Sequence, residues 1–194
     1  ATLNYLYDDQ YDLVYRDSRF KKIKGDFGEQ LFWARGTGWV FAGLARSMEY
    51  MDKQDPNRAI YEKIFVKMAK KLKSLQKSDG SWAMSLVAGE NNPAPETSGT
   101  GFFTYGLAWG VKNGILAKDE YWPTIARGWQ VMVNAVHPDG KLGWVQGVNA
   151  APGVVEYGDS QLYGVGAYLL AGSVIYDLAK AQELAQQVPK VPEK

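Results

Sequence analysis

Apolar residues recur at helical spacing through five stretches of the chain. Over 57–76, NRAIYEKIFVKMAKKLKSLQ, positions Ile60, Ile64, Met68, Leu72 and Leu75 share one face, and Lys and Glu occupy the other. Residues 119–136 repeat the pattern with Trp122, Ile125, Trp129, Met132 and Val136. Pro56 and Pro123 suit first turns, where a missing N–H costs little. These two stretches are predicted to be one-sided helices.

Three other stretches, 36–51, 99–112 and 160–178, are apolar around most of the helical circumference and carry several glycines. A helix apolar all round is buried on all sides. Glycine lowers helix propensity by about 1 kcal/mol relative to Ala, so its recurrence implies close backbone packing or a ligand near the main chain. The chain thus alternates buried, Gly-rich helices with one-sided, Lys-rich ones. Strand signals are poor. Loops 11–33, 76–98 and 137–158 each lead into a buried helix, and Asp-Gly turns at 79–80 and 139–140 mark a loose repeat of helical-hairpin size. The expected fold class is all-α, of the α/α-toroid type, with about three helical hairpins, or half a barrel. Residues 1–185 are expected to form a single domain and 186–194 a frayed tail. Loops this long in a compact domain are usually functional. All three should lie at one end, where the amino termini of the buried helices favour an anionic ligand.

Composition narrows the function. With 22 Lys+Arg against 21 Asp+Glu the net charge is +1, which argues against a nucleic-acid or acidic-membrane binder. The absence of Cys excludes a disulfide scaffold, a thiolate metal site and a cysteine nucleophile within this sequence. One His, His137, excludes a His-rich metal site, and neither metal nor cofactor is expected. No unbroken run of about 18 apolar residues suggests a membrane span, and no secretory leader is recognised. Aromatics at 13% beside 21 Gly suit a carbohydrate cleft or a dense helical core equally.

Candidate chemistry concentrates where loops meet buried helices. In Trp33-Ala34-Arg35-Gly36-Thr37-Gly38-Trp39, a guanidinium lies between two indoles at a helix mouth. It reads either as a carboxylate clamp with sugar-stacking walls or as a structural Arg–Asp pair between core tryptophans. Tyr15-Arg16-Asp17-Ser18-Arg19 reads as a substrate contact, with Asp17 a candidate acid or base, or as a surface ion-pair cluster. Glu96-Thr97-Ser98-Gly99-Thr100 reads first as a helix start, with Thr97 and Ser98 as N-caps and Glu96 complementing the dipole. Asp159-Ser160 reads in the same way. His137 fits a turn or cap rather than a base, and Trp82 and Trp144 fit core plugs or cleft walls. Nucleotide-loop, Rossmann and nucleophile-elbow signatures do not occur.

The segments YRDSR at 15–19, FWARGTGWVFAGL at 32–44, PETSGTGFFTYGLAWGVKNGIL at 95–116 and HPDGKLGWVQ at 137–146 resemble glycoside hydrolase families 88 and 105, the unsaturated glucuronyl and rhamnogalacturonyl hydrolases. The rhamnogalacturonyl type is the nearer match. That resemblance implies an (α/α)6 barrel and release of a 4,5-unsaturated uronic acid by hydration of its double bond. In that reaction an aspartic acid protonates C4, water adds at C5, and no glycosyl-enzyme intermediate forms. Trp33, Arg35 and Trp39 correspond to substrate-lining positions, and Thr97, Ser98 and Thr100 to the helix start bordering the pocket. Arg16 stands where many relatives carry an active-site His after a Tyr, which leaves its role and that of Asp17 open.

The family's catalytic aspartate belongs to an earlier inner helix, so the resemblance extends to the C-terminal half only and the acid is expected upstream of residue 1. Expected partners are an unsaturated pectin- or rhamnogalacturonan-derived oligosaccharide, and either the missing N-terminal half or a second copy of the chain; neither nucleic acid nor membrane is expected. The compartment, bacterial cytoplasm or periplasm, stays open. Two other readings stay open beside the hydrolase: a non-catalytic saccharide-binding or assembly fragment that oligomerises through exposed helix flanks, and a protein-binding helical scaffold.

Overall fold

The computed structural model describes residues 2–187. In chain order they form α1 (Thr2–Leu6), the two-residue strands β1 (Tyr7–Asp8) and β2 (Leu13–Val14), α2 (Ala34–Tyr50), α3 (Arg58–Leu75), α4 (Thr97–Lys112), α5 (Lys118–Asn134) and α6 (Leu162–Gln187). Short 3-10 turns occupy Ser18–Lys22 and Leu86–Asn91. The five helices read from periodicity are all present. The last runs longer than its apolar stretch, and the expected tail lies, beyond Gln187, outside the described residues.

Helix α4 packs between α2 and α6, with α5 behind it and α3 behind α2. Its residues from Thr97 to Val111 are all buried, which is what an all-round apolar helix requires. Glycine contacts set the directions. Gly99 meets Ala34, Gly38 meets Phe102 and Gly106 meets Phe41, so α2 and α4 run parallel. Gly101 meets Ala167, and Lys112 pairs with Asp177 at 2.6 Å, so α4 and α6 also run parallel. Gly101 with Met132 and Thr104 with Gly128 make α5 antiparallel to α4. This is an inner layer of three parallel helices backed by antiparallel outer ones, a partial α/α toroid. Two outer helices are complete, while α1, preceding the first inner helix, has only five residues.

Two details of the sequence reading change. The buried face of α3 is centred on Phe65, Met68, Ala69 and Leu72, and Ile60 is exposed. Pro123 sits in the second turn of α5, which begins at Lys118 with Asp119 and Glu120 in its first turn. The membrane expectation also needs correction. The stretch Leu162–Ala181 of α6, with mean hydropathy 1.3, is long and apolar enough by length and composition to cross a bilayer. Its average is high although no unbroken apolar run occurs. One side packs on α4 through Ala167 and Ala171, whereas Leu162 (90% exposed), Leu169 (63%) and Tyr176 (65%) form a stripe facing outward.

Close approach is most demanding at Gly101. An added Cβ there lies 2.9 Å from the Ala167 Cβ and 3.2 Å from its carbonyl carbon, and backbone cannot step aside. Gly101→Ala gains about 1 kcal/mol of helix propensity but overpacks the α4–α6 contact, at a cost of about 1–3 kcal/mol. The expected result is a lower melting temperature, by about 4 °C. A melting temperature unchanged or raised means that the helices are not held this closely.

The β1–β2 hairpin ties the amino-terminal segment to α2. The Tyr7 hydroxyl donates to Asp12 (2.7 Å), the Tyr15 hydroxyl donates to Asp8 (2.8 Å), and the Tyr15 ring stacks on Phe32. Burial, followed by the bond to a carboxylate, raises both phenols well above their ordinary value of 10.0. A folded pKa above the unfolded one contributes stability that is complete below about pH 10 and is lost as pH rises beyond it. Alkaline unfolding is therefore expected to coincide with the last tyrosinate absorbance step. The double variant Tyr7→Phe, Tyr15→Phe should lose that coincidence; retaining it would show that other groups control the transition.

Candidate functional site

The amino ends of α2, α4 and α6 lie side by side, and the segments leading into them interlock. The Ala34 N–H donates to the Met84 carbonyl and the Leu86 N–H to the Phe32 carbonyl, so 32–34 and 84–86 pair like strands. The Thr37 hydroxyl reaches the Val14 carbonyl at 3.3 Å and draws the first loop over the start of α2. The Thr97 N–H donates to the Trp144 carbonyl, which brings the third loop against the start of α4. Trp144 holds φ +57°, a left-handed conformation uncommon for a bulky residue.

Arg35 lies in the first turn of α2 and is 3% exposed. Its guanidinium donates to the carbonyls of Gln146 (2.6 Å) and Gly147 (3.0 Å). It is sandwiched between the Trp33 ring at 4.5 Å and the Tyr163 ring at 4.6 Å. The structural partner of Arg35 is therefore backbone and aromatic faces, not the aspartate of an Arg–Asp pair. A planar, weakly hydrated guanidinium suits such a slot, where an ammonium does not.

Gln146 is the hub that the sequence reading did not single out. Its N–H donates to Glu96 Oε1 (3.3 Å), its Oε1 accepts the Trp33 indole N–H (2.9 Å), and its Nε2 donates to the Ala151 carbonyl (2.8 Å). Its own carbonyl accepts both Arg35 and the Tyr163 hydroxyl, the latter at 2.5 Å. One residue thus joins the starts of all three inner helices. Burial raises the Tyr163 phenol, Arg35 opposes this and Glu96 adds to it; the protonated form is the one that donates to Gln146. The signal available in the sequence was a lone amide in the Gly-rich apolar run GWVQG, directly before the final inner helix.

Glu96 itself is the N-cap of α4, in extended backbone, and accepts from the Ser98 N–H (3.1 Å), the Ser98 hydroxyl (2.5 Å) and the Gly99 N–H (2.8 Å). This corrects the assignment of Thr97 and Ser98 as caps. Both lie in the first turn, and a carboxylate one residue earlier reaches further than a hydroxyl. Thr97, Ser98 and Thr100 are wholly buried. The Thr97 hydroxyl donates to the Gly143 carbonyl, and Thr100 Oγ1 accepts the Trp82 N–H. The amino end of α4 therefore already holds an anion, the protein's own. Asp159 likewise serves a turn, accepting the Glu156 N–H, and α6 begins three residues later.

The surface of the site is elsewhere. Trp39, one turn beyond Arg35, is 53% exposed and rests on Phe102 with ring centroids 4.3 Å apart. At the start of α2, Trp33 caps without a side-chain bond, so no side chain covers the first-turn N–H groups. Arg16 is held by Asp17 at 2.5 Å, and Arg19 by the same carboxylate at 2.9 Å. Asp17 also accepts the Arg19 N–H and caps the turn Ser18–Lys22. The Arg19 side chain foremost, with the Arg19 N–H and Arg16, holds the Asp17 carboxyl well below the usual carboxylate range, and a group held ionised has no proton to give. Its hydrogen bonds all go to Arg16 and Arg19, none to the Arg35–Gln146 cluster.

His137 serves a turn. Its N–H donates to the Lys141 carbonyl, its ring stacks on Tyr157 at 3.8 Å, and Nε2 lies 2.9 Å from the Tyr157 carbonyl. Trp82 is a core plug, wholly buried, with its indole N–H on the Leu72 carbonyl. Among the described residues no group of three or more His, Asp or Glu is placed to hold a metal ion. What the arrangement offers chemically is a rigid aromatic and guanidinium bed beneath one exposed indole, beside an uncapped helix start.

The profile of Glycosyl Hydrolase Family 88 matches residues 1–179. An unsaturated 3S-rhamnoglycuronyl hydrolase from Alteromonas sp. (strain LOR) is 46% identical over 173 residues, which are 89% of this chain and 42% of that protein. A protein of the same name from Formosa agariphila is 39% identical over 183 residues, 91% of this chain and 48% of its own. A solved family 88 glycosyl hydrolase from Bacteroides vulgatus superposes with a TM-score of 0.85 at 37% identity, over 91% of this chain and 52% of that one. The chain thus spans about half the length of the relatives it matches. With a matching profile over most of its length, the chain belongs to glycosyl hydrolase family 88.

Proposed function

We propose that this chain forms the sugar-holding part of a hydrolase that releases unsaturated uronic acid from pectin- or rhamnogalacturonan-derived oligosaccharides by hydrating the 4,5 double bond. The observation that carries the proposal is the Arg35–Trp33–Tyr163–Gln146 bed beneath exposed Trp39, in a chain whose relatives are named for unsaturated rhamnoglycuronyl hydrolysis. Trp39 stacks on the sugar ring, and the uronate carboxylate takes the uncapped start of α2, where the helix dipole is positive. At α4 that position is already filled by Glu96. Thr97, Ser98 and Thr100 support the pocket wall from within, and Arg16 borders the site from the first loop. The proton donor is assigned to an aspartate outside these 194 residues, because the Arg19 and Arg16 pairs hold Asp17 ionised.

Titration with an unsaturated disaccharide is expected to quench tryptophan fluorescence, and Trp39→Ala to weaken binding by about tenfold, the worth of one good aromatic contact. No binding by the unmodified chain overturns the proposal. Turnover by these residues, seen as loss of double-bond absorbance and abolished by Asp17→Asn, would assign the acid to Asp17 instead. The outward stripe of Leu162, Leu169 and Tyr176 on α6 supports a second reading, an assembly half whose flank another set of helices covers. Light scattering tests it, and a strictly monomeric chain argues against self-assembly.

A further inference from the structure

A second concavity of about 350 Å³ opens at the same loop end. Lys24, Asp26 and Phe27 form one wall, Gly153 and Val154 the other, and Ser85 lies at its base. We infer that this groove is the subsite for the sugars that follow the terminal uronide, an inference that rests on the function proposed above.

Three observations support it. The first is continuity with the bed under Trp39. Ser85 is bridged to Trp33 through antiparallel backbone. The Ala151 carbonyl, at the groove wall, accepts the Gln146 amide. The backbone that frames the Arg35 cluster therefore frames the groove as well, and an oligosaccharide leaving one enters the other.

The second is the chemistry of the walls. Phe27 is 55% exposed and offers a flat apolar face. Beside it Glu29 accepts the Phe27 N–H (3.1 Å) and the Ser85 hydroxyl (2.5 Å). A carboxylate has about four acceptor positions, and an ammonium three donors. Glu29 therefore retains acceptors, and Lys24, which gives one bond to Gln30 at 3.0 Å, retains donors. An aromatic face flanked by spare donors and acceptors matches a sugar ring, apolar on its C–H face and hydroxylated around its edge.

The third is Gly153. A Cβ there lies 3.2 Å from the Asn149 amide nitrogen and 3.3 Å from that of Gln146. Glycine at this position keeps the passage between groove and hub open, with both amides at its edge.

The test compares an unsaturated disaccharide with an unsaturated tetrasaccharide, both from lyase-digested rhamnogalacturonan, by calorimetric titration of the full chain. The unmodified chain is expected to bind the tetrasaccharide about tenfold more tightly, as one added aromatic contact with its hydrogen bonds allows. Phe27→Ala and Gly153→Leu are each expected to remove that advantage and to leave disaccharide binding unchanged. Phe27 is exposed, so its variant keeps the test valid if Gly153→Leu disturbs the fold. Equal affinity for both lengths, or a length preference that survives Phe27→Ala, overturns the subsite alone. Absence of binding to either saccharide overturns the proposed function and the subsite with it.

Discussion

Arg35→Met is expected to lower the unfolding free energy by about 4 kcal/mol, the largest effect of any single change at the loop end. Two charge-assisted hydrogen bonds are lost, to the carbonyls of Gln146 and Gly147, each worth about 1.5–3 kcal/mol. The Gln146 carbonyl keeps Tyr163 as a donor. The sandwich with Trp33 and Tyr163 goes as well, and a desolvated cation–π contact is worth up to about 2 kcal/mol. Methionine recovers part of this by filling the slot with apolar volume. Arg35→Lys is expected to recover less than half of the loss, because one ammonium cannot lie flat between two rings and bond both carbonyls. Urea denaturation of the three proteins measures the differences. A loss below about 1 kcal/mol for Arg35→Met would mean that the guanidinium is dispensable to the fold. Saccharide affinity should fall with stability, since Trp33 and the 144–151 loop are both anchored through this residue and Gln146.

Glu96→Ala is expected to cost about 3 kcal/mol. The carboxylate satisfies the N–H groups of Ser98, Gly99 and Gln146 and the Ser98 hydroxyl in a site without solvent. Loss of an N-cap alone costs about 0.5–2 kcal/mol, and each further buried donor left without a partner adds about 1–3 kcal/mol. The donors nearest the surface recover water, which keeps the sum below the simple total. Glu96→Gln retains one acceptor oxygen and turns the other into a donor facing N–H groups, so it should fall midway. Thermal melting together with hydrogen exchange at Ser98 and Gly99 checks both: protection at these two amides should drop in Glu96→Ala before protection elsewhere in α4. Protection unchanged in Glu96→Ala would show that another group caps the helix.

Much of the site could be located along the chain but not resolved into roles. Trp33, Arg35 and Trp39 belong to one short segment, yet the structure buries the first two and exposes the third. Helical geometry separates them, for Arg35 turns toward the third loop and Trp39, four residues on, rests on α4. Gln146 and Tyr163 carried no motif of their own, because their importance comes from partners far away in sequence, Trp33 and Arg35 foremost. The capping of α4 was placed one or two residues late, since Thr and Ser caps are the commoner choice and a glutamate cap depends on where its side chain folds back.

The amino-acid order by itself determined which stretches are helices and which of them are buried all round. It also determined that glycine recurs where those helices touch, because periodicity and side-chain size are local properties. The approximate repeat was legible too: Ala34 meets Gly99 and Gly101 meets Ala167, spacings close to the hairpin size read from the loops. Only the tertiary structure decided that α2, α4 and α6 run parallel with their starts in one cluster, that the α4 start is closed by Glu96 while the α2 start is not, and that Arg35 answers to carbonyls rather than a carboxylate. Those outcomes depend on contacts between residues more than a hundred positions apart, as with Arg35 and Gln146, and nothing local in the chain encodes which distant carbonyl a side chain will meet.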